Sequence, residues 1–343
     1  MSALRSSLRP VSRPIRRGIW YVDVRRAARA SRAREADLAV FHDFAPSPAG
    51  GANQTLRALI RELTRRGVAV EYGAASEHTQ AVLFNSFNFD ARRLEWFSAR
   101  LSDRCRIVHR VGAVTTLYRG FDDGTDARVA ELNRRFAHAT VAISQATIDM
   151  YGAIGIELVA PRVIHNPVDP EIFHPRGRLP FERGRKTRVV SISWSDNPRK
   201  GGPVLKWLER ALDWNRFELT FVGNAQETFE RIRHVPPAPS HELAALLREH
   251  DVFFTATEHD AYSNALVEAL SCGLPVVYLD SGGSREAVGR AGFGYTDREE
   301  IPGLLDRLRD EYEDRQAAIA LPGLDEIVDA YLETLGLADS VSR

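Results

Sequence analysis

Cysteine, lysine and long apolar runs are scarce in this chain of 343 residues. The two cysteines, Cys105 and Cys272, each lie within or beside an apolar segment. This pattern excludes a disulfide framework and is typical of core thiols in a reducing compartment. The sequence has no run of about 18 or more apolar residues, and its basic N-terminus lacks the apolar segment of a signal peptide. We therefore expect a cytoplasmic protein.

Several sequence motifs are also absent. The chain has no Asp-x-Asp motif and no His or Cys cluster with zinc spacing, so we expect no bound metal. It has neither the Gly-x-Gly-x-x-Gly fingerprint nor a P-loop, which disfavours NAD-dependent chemistry and P-loop hydrolysis. Its 46 basic and 46 acidic residues balance, and this overall neutrality gives no indication of a nucleic-acid partner.

What is present is an alternation of apolar strands and amphipathic helices in two series. Because each series repeats the strand–helix–strand unit, the sequence predicts an α/β protein with two doubly wound parallel sheets. The predicted strands are residues 38–42, 68–71, 81–84, 106–111, 140–143 and 162–164, then 189–193, 218–222, 252–256 and 276–279. The predicted helices are residues 53–66, 91–101, 126–137 and 144–151, then 202–212, 240–250 and 265–271.

The length is also that of two domains, at about 150 residues each. The predicted divisions are a basic extension, an N-terminal Rossmann-like domain, a linker, a C-terminal Rossmann-like domain and a final helix that could cross back to the first domain. They span residues 1–36, 37–175, 176–187, 188–322 and 323–343, respectively.

The first 36 residues contain ten arginines and two acidic residues. The plain interpretation is a solvated, partly disordered extension or a surface helix. The functional alternative is peripheral contact with the anionic inner face of a membrane. Nucleic-acid binding is disfavoured here as well, because no recognition motif accompanies the charge.

Residues 260–279 are the most informative segment, because a carboxylate, Glu268, lies within an apolar run. Ser263 or Asn264 can cap a helix there, and Gly273 ends it. Glu268 lies about one turn inside this helix, on the face that Asn264 shares. Free amides at a helix start favour a phosphate, and a carboxylate one turn further in suits ribose hydroxyls. The segment therefore predicts a nucleoside diphosphate site, the alternative being a core helix whose Glu268 pairs with an arginine or an amide.

Three further features lie at ends of predicted strands. Lys200, one of three lysines in the chain, stands beside Arg199 and before a Gly-Gly pair, where a cation can reach a diphosphate. Gly50-Gly51 lets a ligand approach backbone amides. His109 lies near the carboxyl edge at which doubly wound sheets bind ligands. The ordinary alternatives are an exposed basic turn, a tight turn and a packed, hydrogen-bonded histidine.

Residues 260–279 resemble the signature of the retaining GT-B glycosyltransferases of family GT4. The second Glu of that signature, its Asn, its Gly and its Pro-Val-Val fall in register, while Asp260 replaces the first Glu. The similarity extends over about residues 37–335 and includes the linker sequence Asn166-Pro-Val-Asp, where Pro167 stands in place of the usual Gly. It implies the GT-B architecture, in which two Rossmann-like domains face each other across a cleft.

The resemblance also implies roles for individual residues. The residues implied in donor binding are Gly50, Gly51, Arg199, Lys200, Ser263, Asn264 and Glu268. Arg199 is included as a substitute, because the family's arginine in this loop falls on Ser195. His109 and Asp260 are implied as catalytic residues that contact the transferred sugar or its leaving phosphate. Members of the family retain the anomeric configuration and generally need no metal.

The expected function is therefore transfer of a hexose-type sugar from a nucleoside diphosphate to an unidentified acceptor, which could be a glycan, a lipid-linked sugar or a small molecule. The donor is a substrate, and no cofactor is expected. One alternative is a nucleotide-sugar epimerase or hydrolase on the same fold. Another is a degenerate transferase that binds a nucleotide sugar or a partner without catalysis, which Asp260 and Ser195 motivate.

Overall fold

The computed structural model describes residues 13–45 and 51–341. Gly50 and residues 1–12 of the basic extension lie outside this part of the chain. No helix in the described ranges is both long enough and apolar enough to cross a membrane.

The first domain is built on a parallel sheet. Its strands are β1 (Leu38–Phe41), β2 (Val70–Tyr72), β3 (Ala81–Asn85), β4 (Arg106–Val111), β5 (Ala139–Ala142) and β6 (Pro161–Val163). They pair in the order β2-β1-β3-β4-β5-β6. Every residue of β1, β3 and β5 is buried, as expected for short apolar strands covered by helices on both faces. The helices are α1 (Arg13–Arg34), α2 (Gly51–Arg65), α3 (Ala91–Ser98), α4 (Thr115–Arg119), α5 (Thr125–Phe136) and α6 (Gln145–Ala153).

The second domain repeats this plan. Its strands are β7 (Thr187–Ser193), β8 (Phe217–Gly223), β9 (Arg233–Val235), β10 (Val252–Thr255), β11 (Val276–Leu279) and β12 (Gly292–Tyr295). They are parallel and pair in the order β12-β11-β10-β7-β8-β9. The helices that follow are α7 (Gly202–Ala211), α8 (Ser240–Arg248), α9 (Asn264–Ser271), α10 (Ser284–Val288), α11 (Ile301–Asp310), α12 (Tyr312–Ala317), α13 (Leu324–Leu335) and α14 (Ala338–Val341).

Over residues 13–34 the basic segment is a helix packed on the first domain. Val24 is fully buried in a core that includes β1 and β3, and Trp20 packs beside it. The Trp20 indole N–H donates to Asp90 at 2.8 Å, and the Ser31 hydroxyl donates to Glu71 at 2.6 Å. Of the two plain interpretations of this segment, the structure has the surface helix here.

Helix α13 follows the second domain in sequence but packs on the first. Ile327, Val328, Tyr331 and Leu335 are buried in the core formed by β1, β3, β4 and α2. Arg66 of the first domain also pairs with Asp325 at 2.6 Å. The chain therefore crosses between the domains twice, once in each direction.

A carboxylate of the second domain caps a helix of the first. The two oxygens of Glu286 accept the N–H of Gln145, at 3.0 and 2.9 Å, at the start of α6. The same carboxylate lies 2.8 Å from Nε2 of His165, whose ring stacks on Tyr262 with centroids 4.5 Å apart. These contacts hold the two domains together beside the linker.

Candidate active site

A cavity of about 470 Å³ lies between the domains, within the range of about 300–1,000 Å³ typical of ligand sites. The first domain contributes Gln54, Ala113 and Tyr118. The second domain contributes, among others, Trp194, Ser195, Lys200, Pro237, Asp260, Ser263, Asn264 and Glu268. Because parallel strands end on the same edge of a sheet, loops after β4, β7, β8 and β10 meet here.

Helix α9 begins at this cavity. Ser263 has extended backbone angles and is the N-cap residue, but within the described ranges the start of the helix has no side-chain cap hydrogen bond. The first-turn amides therefore retain donor capacity at the positive end of the helix dipole. Leu266, Val267, Ala269 and Leu270 are buried in the second domain, so packing fixes the direction in which these amides point.

Glu268 lies one turn inside α9 and lines the same cavity. Among the described residues its carboxyl group has no hydrogen-bond partner, so they give no support to the core-helix alternative, in which an arginine or amide pairs with it. Burial raises the pKa of Glu268 from its ordinary 4.5 to about 8, because removal from water disfavours the charged form. At neutral pH the group is therefore mostly a neutral carboxylic acid that can both donate and accept a hydrogen bond.

Lys200 ends a 3-10 turn, Pro198–Lys200, that follows β7. Its Nζ lies 2.9 Å from Oδ2 of Asp260 and 5.5 Å from the centre of the Tyr118 ring. Gly201 continues the chain with φ 95°, and a Cβ there would lie 2.7 Å from the Cβ of Ala256. Only glycine allows this turn to approach β10 so closely. The ammonium group is thus held between Asp260 and an aromatic ring of the opposite domain.

Arg199 points away from the cavity. One of its terminal nitrogens donates to the carbonyl oxygen of Leu117, and its Nε lies 3.8 Å from Glu258. Asn197 makes a parallel contact, donating from Nδ2 to the carbonyl oxygen of Tyr118 at 3.3 Å. Arg199 therefore joins the 3-10 turn to α4. Of these two neighbours, Lys200 lines the cavity and Arg199 does not.

The Asn264 side chain connects three parts of the chain. Its Oδ1 accepts from the Thr55 hydroxyl of α2 at 3.2 Å and from Asn166 Nδ2 of the linker at 2.9 Å. Helices α2 and α9 therefore meet near their starts, where Gln54 lines the cavity one residue before Thr55. Gly51 is the first residue of α2, three residues before Gln54.

The interpretation of His109 as a catalytic residue is wrong. Its ring is fully buried and stacks on Phe84, with centroids 4.0 Å apart. Nδ1 accepts from Asn133 at 3.1 Å, and Nε2 faces the carbonyl oxygen of Ser86 at 3.4 Å. Burial lowers the pKa of His109 to about 3, so the ring stays neutral and cannot contact a substrate. It is the packed, hydrogen-bonded histidine of the ordinary alternative.

Two aromatic lining residues were not assigned a role from the sequence. Tyr118 lies on α4 and lines the cavity from the first domain. Trp194 follows β7 and is 49% exposed. The signal that the sequence offered for this residue was a tryptophan beside a predicted binding loop. Within the described ranges, no group of three His, Cys, Asp or Glu side chains forms a metal site.

Part of the chain is similar in sequence to known glycosyltransferases. Residues 204–314 match the family model described as "Glycosyl transferases group 1". The chain is 37% identical over 192 residues to a D-inositol 3-phosphate glycosyltransferase of Streptosporangium roseum, covering 48% of this chain and 43% of that protein. It is 28% identical over 174 residues to a GDP-mannose-dependent alpha-mannosyltransferase of Mycobacterium tuberculosis, covering 45% and 42%. The matches thus span less than half the length of these relatives.

The fold is similar to those of solved glycosyltransferase structures. Sucrose-phosphate synthase of Thermosynechococcus elongatus superposes with a TM-score of 0.67 at 13% identity, covering 89% of this chain and 99% of that one. Anabaena HepE, solved with UDP-glucose, superposes with a TM-score of 0.59 at 15% identity, covering 89% and 98%. The predicted α/β architecture of two facing parallel sheets is confirmed as GT-B. The similarity to glycosyl transferases group 1, first indicated by residues 260–279, is confirmed over residues 204–314.

Proposed function

We propose that this protein is a retaining glycosyltransferase that moves a sugar from a nucleoside diphosphate to an acceptor bound in the cleft. One observation carries the proposal. A single cavity between the two Rossmann-like domains is lined by the uncapped start of α9, the ammonium group of Lys200 and the carboxyl group of Glu268.

On the donor side, the α9 amides and Lys200 provide the donors for a diphosphate. Glu268 receives the ribose hydroxyls. Because the raised pKa keeps Glu268 neutral, it can bind these hydroxyls without repelling the nearby phosphates. Trp194 and Pro237 also line the cavity, and they offer flat apolar surfaces to the base of the nucleotide.

On the acceptor side, Tyr118, Ala113 and Gln54 line the opposite wall. In the proposed reaction the bond between the anomeric carbon and the phosphate oxygen breaks, and the acceptor oxygen bonds to that carbon on the same face. The acceptor proton passes to the departing phosphate. Lys200 and the α9 amides stabilise the negative charge that develops on this leaving group, which is commonly the largest catalytic contribution in such a site. Asp260 holds Lys200 in place and faces the sugar.

Thermal stability measured with a panel of nucleotide sugars tests donor binding. UDP-glucose and GDP-mannose head the panel, because similar proteins carry these ligands in their names. A donor at about 100 times its Kd should stabilise the fold by about 2.7 kcal/mol. Donor consumption with and without acceptor extracts then tests transfer, and NMR of the product tests retention. A fold that no nucleotide sugar stabilises would contradict the proposal.

A second candidate function is nucleotide-sugar binding without transfer. It is favoured by the ion pair between Lys200 and Asp260, which partly neutralises a cation at the cavity, and by the uncharged Ser195 in the loop where the family carries an arginine. This candidate predicts thermal stabilisation by a donor and no donor consumption with any acceptor. A nucleotide-sugar epimerase or hydrolase would instead consume donor without an acceptor.

We also propose that α1 contacts an anionic membrane surface. Tyr21 is 42% and Val22 54% exposed, and Arg25, Arg26 and Arg29 are exposed on the same helix. Each basic residue near such a surface contributes about 1 kcal/mol. The triple variant Arg25→Glu, Arg26→Glu, Arg29→Glu should lose sedimentation with phosphatidylserine vesicles at low salt, while a control variant with Arg128→Glu and Arg134→Glu on α5 keeps it. Full-length protein that ignores these vesicles would refute this contact.

A further inference from the structure

Arg110 is a buried cation that pairs with no carboxylate in the described part of the chain. It lies on β4 and is 3% exposed. Its guanidinium donates to Oδ1 of Asn85 at 2.8 Å and to Oδ1 of Asn166, and Tyr331 is a further hydrogen-bond partner. Its Nε has no partner among the described residues. Burying a charge without an opposite charge is costly, so this arginine calls for a physical explanation beyond packing.

The hydrogen bonds that leave Arg110 have a fixed direction. Arginine has only donors, so the Asn166 oxygen must accept, and the Asn166 amide nitrogen is then the group that faces Asn264. That nitrogen donates to Asn264 Oδ1 at 2.9 Å. Thr55 donates to the same oxygen at 3.2 Å. The arginine thereby determines which way both asparagine side chains are turned.

The last group in this chain of hydrogen bonds is the Asn264 amide nitrogen. Since Oδ1 of Asn264 is occupied by two donors, its Nδ2 carries the remaining hydrogen-bonding capacity. Nδ2 has no acceptor within the described residues, and Asn264 lines the same cavity as Lys200. An N–H donor, and not a carbonyl oxygen, is therefore presented to whatever binds beside α9.

The cavity has a specific need for such a donor. Ser195 is uncharged and Arg199 is directed toward the carbonyl oxygen of Leu117. Lys200 is paired with Asp260. Lys200 is thus the one cationic side chain that lines the cavity in the part of the chain that the structure describes.

We propose that Arg110 and Asn166 are positioning residues that act through Asn264 on the donor diphosphate, with the buried charge of Arg110 replacing a second cation in the cleft. The inference rests on the proposed nucleotide site. Hydrogen bonds in series polarise one another in a low-dielectric interior, so the positive charge strengthens the Asn264 N–H as a donor. The three side chains lie in the order Arg110, Asn166, Asn264, from β4 through the linker to α9.

The variant Asn166→Asp tests this inference with almost no change in shape. The introduced carboxylate would still accept from Arg110, but it could not donate to Asn264. The Asn264 side chain would then turn its amide nitrogen toward the new carboxylate and its oxygen toward the cavity. The matched control is Asn85→Asp, which places the same carboxylate on the same guanidinium and leaves the bonds from Asn166 to Asn264 intact.

Calorimetry with the tightest binder among UDP, GDP and ADP, with its parent nucleoside and with inorganic pyrophosphate provides the readout. We expect Asn166→Asp to lose at least about 30-fold in diphosphate affinity, as for loss of a hydrogen bond to a charged group. Nucleoside affinity should change less than about twofold, and Asn85→Asp should lose about threefold for the diphosphate. Unchanged diphosphate affinity in Asn166→Asp, or equal losses in both variants, would overturn the inference.

Two further measurements keep the test decisive. If Asn166→Asp does not fold, Asn166→Ala takes its place, with an expected loss of about tenfold confined to the diphosphate; equal losses for nucleoside and diphosphate would show a merely structural role and overturn the inference. If the parent binds no nucleotide, the proposed function fails, and pyrophosphate alone then tests the hydrogen-bond chain. A parent that does not bind pyrophosphate either would overturn the inference as well.

Discussion

The Glu268 carboxyl group should make the stability of the protein fall as pH rises. Its pKa is about 8 in the folded protein against an ordinary value of 4.5. Between these two values the folded chain holds a proton that the unfolded chain has released. Since stability falls with pH wherever the folded state binds more protons, Glu268 destabilises the fold progressively over this window. Below about pH 4.5 it costs nothing, and above about pH 8 the cost is constant.

The magnitude follows from about 1.4 kcal/mol for each pKa unit. At pH 7, which is 7 − 4.5 = 2.5 units above the ordinary pKa, the penalty is about 3.5 kcal/mol. Glu268→Gln should therefore stabilise the protein by about that amount at pH 7. It should be nearly neutral at about pH 4.5.

Urea denaturation of the parent and of Glu268→Gln at several pH values between about 4.5 and 8.5 measures this difference. Glu242→Gln, which removes an exposed carboxylate from the neighbouring helix α8, is the control. The gap between parent and Glu268→Gln should widen with pH, and by more than the gap between parent and Glu242→Gln. Parallel curves for the parent and Glu268→Gln would refute the raised pKa and, with it, the neutral form of Glu268 in the donor site.

Four further outcomes are expected. Lys200→Ala should weaken nucleoside diphosphate binding by roughly 1.5–3 kcal/mol in calorimetry, and unchanged affinity would remove Lys200 from the donor site. Asp260→Asn, which removes the charged partner of Lys200, should lower steady-state turnover on the order of 100-fold; a parent-like rate would show that Asp260 does not act on the sugar. His109→Ala should cost about 2–4 kcal/mol in urea denaturation with donor affinity preserved, and a loss of affinity in folded protein would contradict its assignment to the core. Deleting residues 1–34 should lower the Tm markedly, because the deletion removes Trp20 and Val24 from the core that includes β1 and β3; an unchanged Tm would show that α1 adds no stability.

The alternation of strands and helices was readable from the sequence where the elements are buried. The strands 106–111 and 276–279 were predicted to the residue, because flanking turn residues bound a short apolar run. The edge strands β9 and β12 were missed. The residues of β9 are exposed or half-buried, and Gly292 and Gly294 interrupt β12, so neither has an apolar pattern to detect.

The site was readable in part. A carboxylate in an apolar helix pointed to Glu268, and the same reasoning applied to β4 would have singled out Arg110, another charge within an apolar run. On this strand only the neighbouring His109 was predicted to have a role in the site. Sequence position alone did not show that Arg199 and Lys200, adjacent in the chain, point to different partners. Such directions depend on tertiary contacts with α4, which lie about 80 residues away in sequence.

The return of α13 to the first domain has a consequence for how the protein is made. The N-terminal core includes Tyr331 and Leu335, which leave the ribosome after nearly all of the second domain. The domain that is synthesised first therefore cannot complete its packing until the second domain has been synthesised, whereas domains generally fold as units in the order of their synthesis. Until then the apolar groove between α2 and the first sheet stays uncovered, so the nascent chain exposes its aggregation-prone surface for longer than its order of domains suggests.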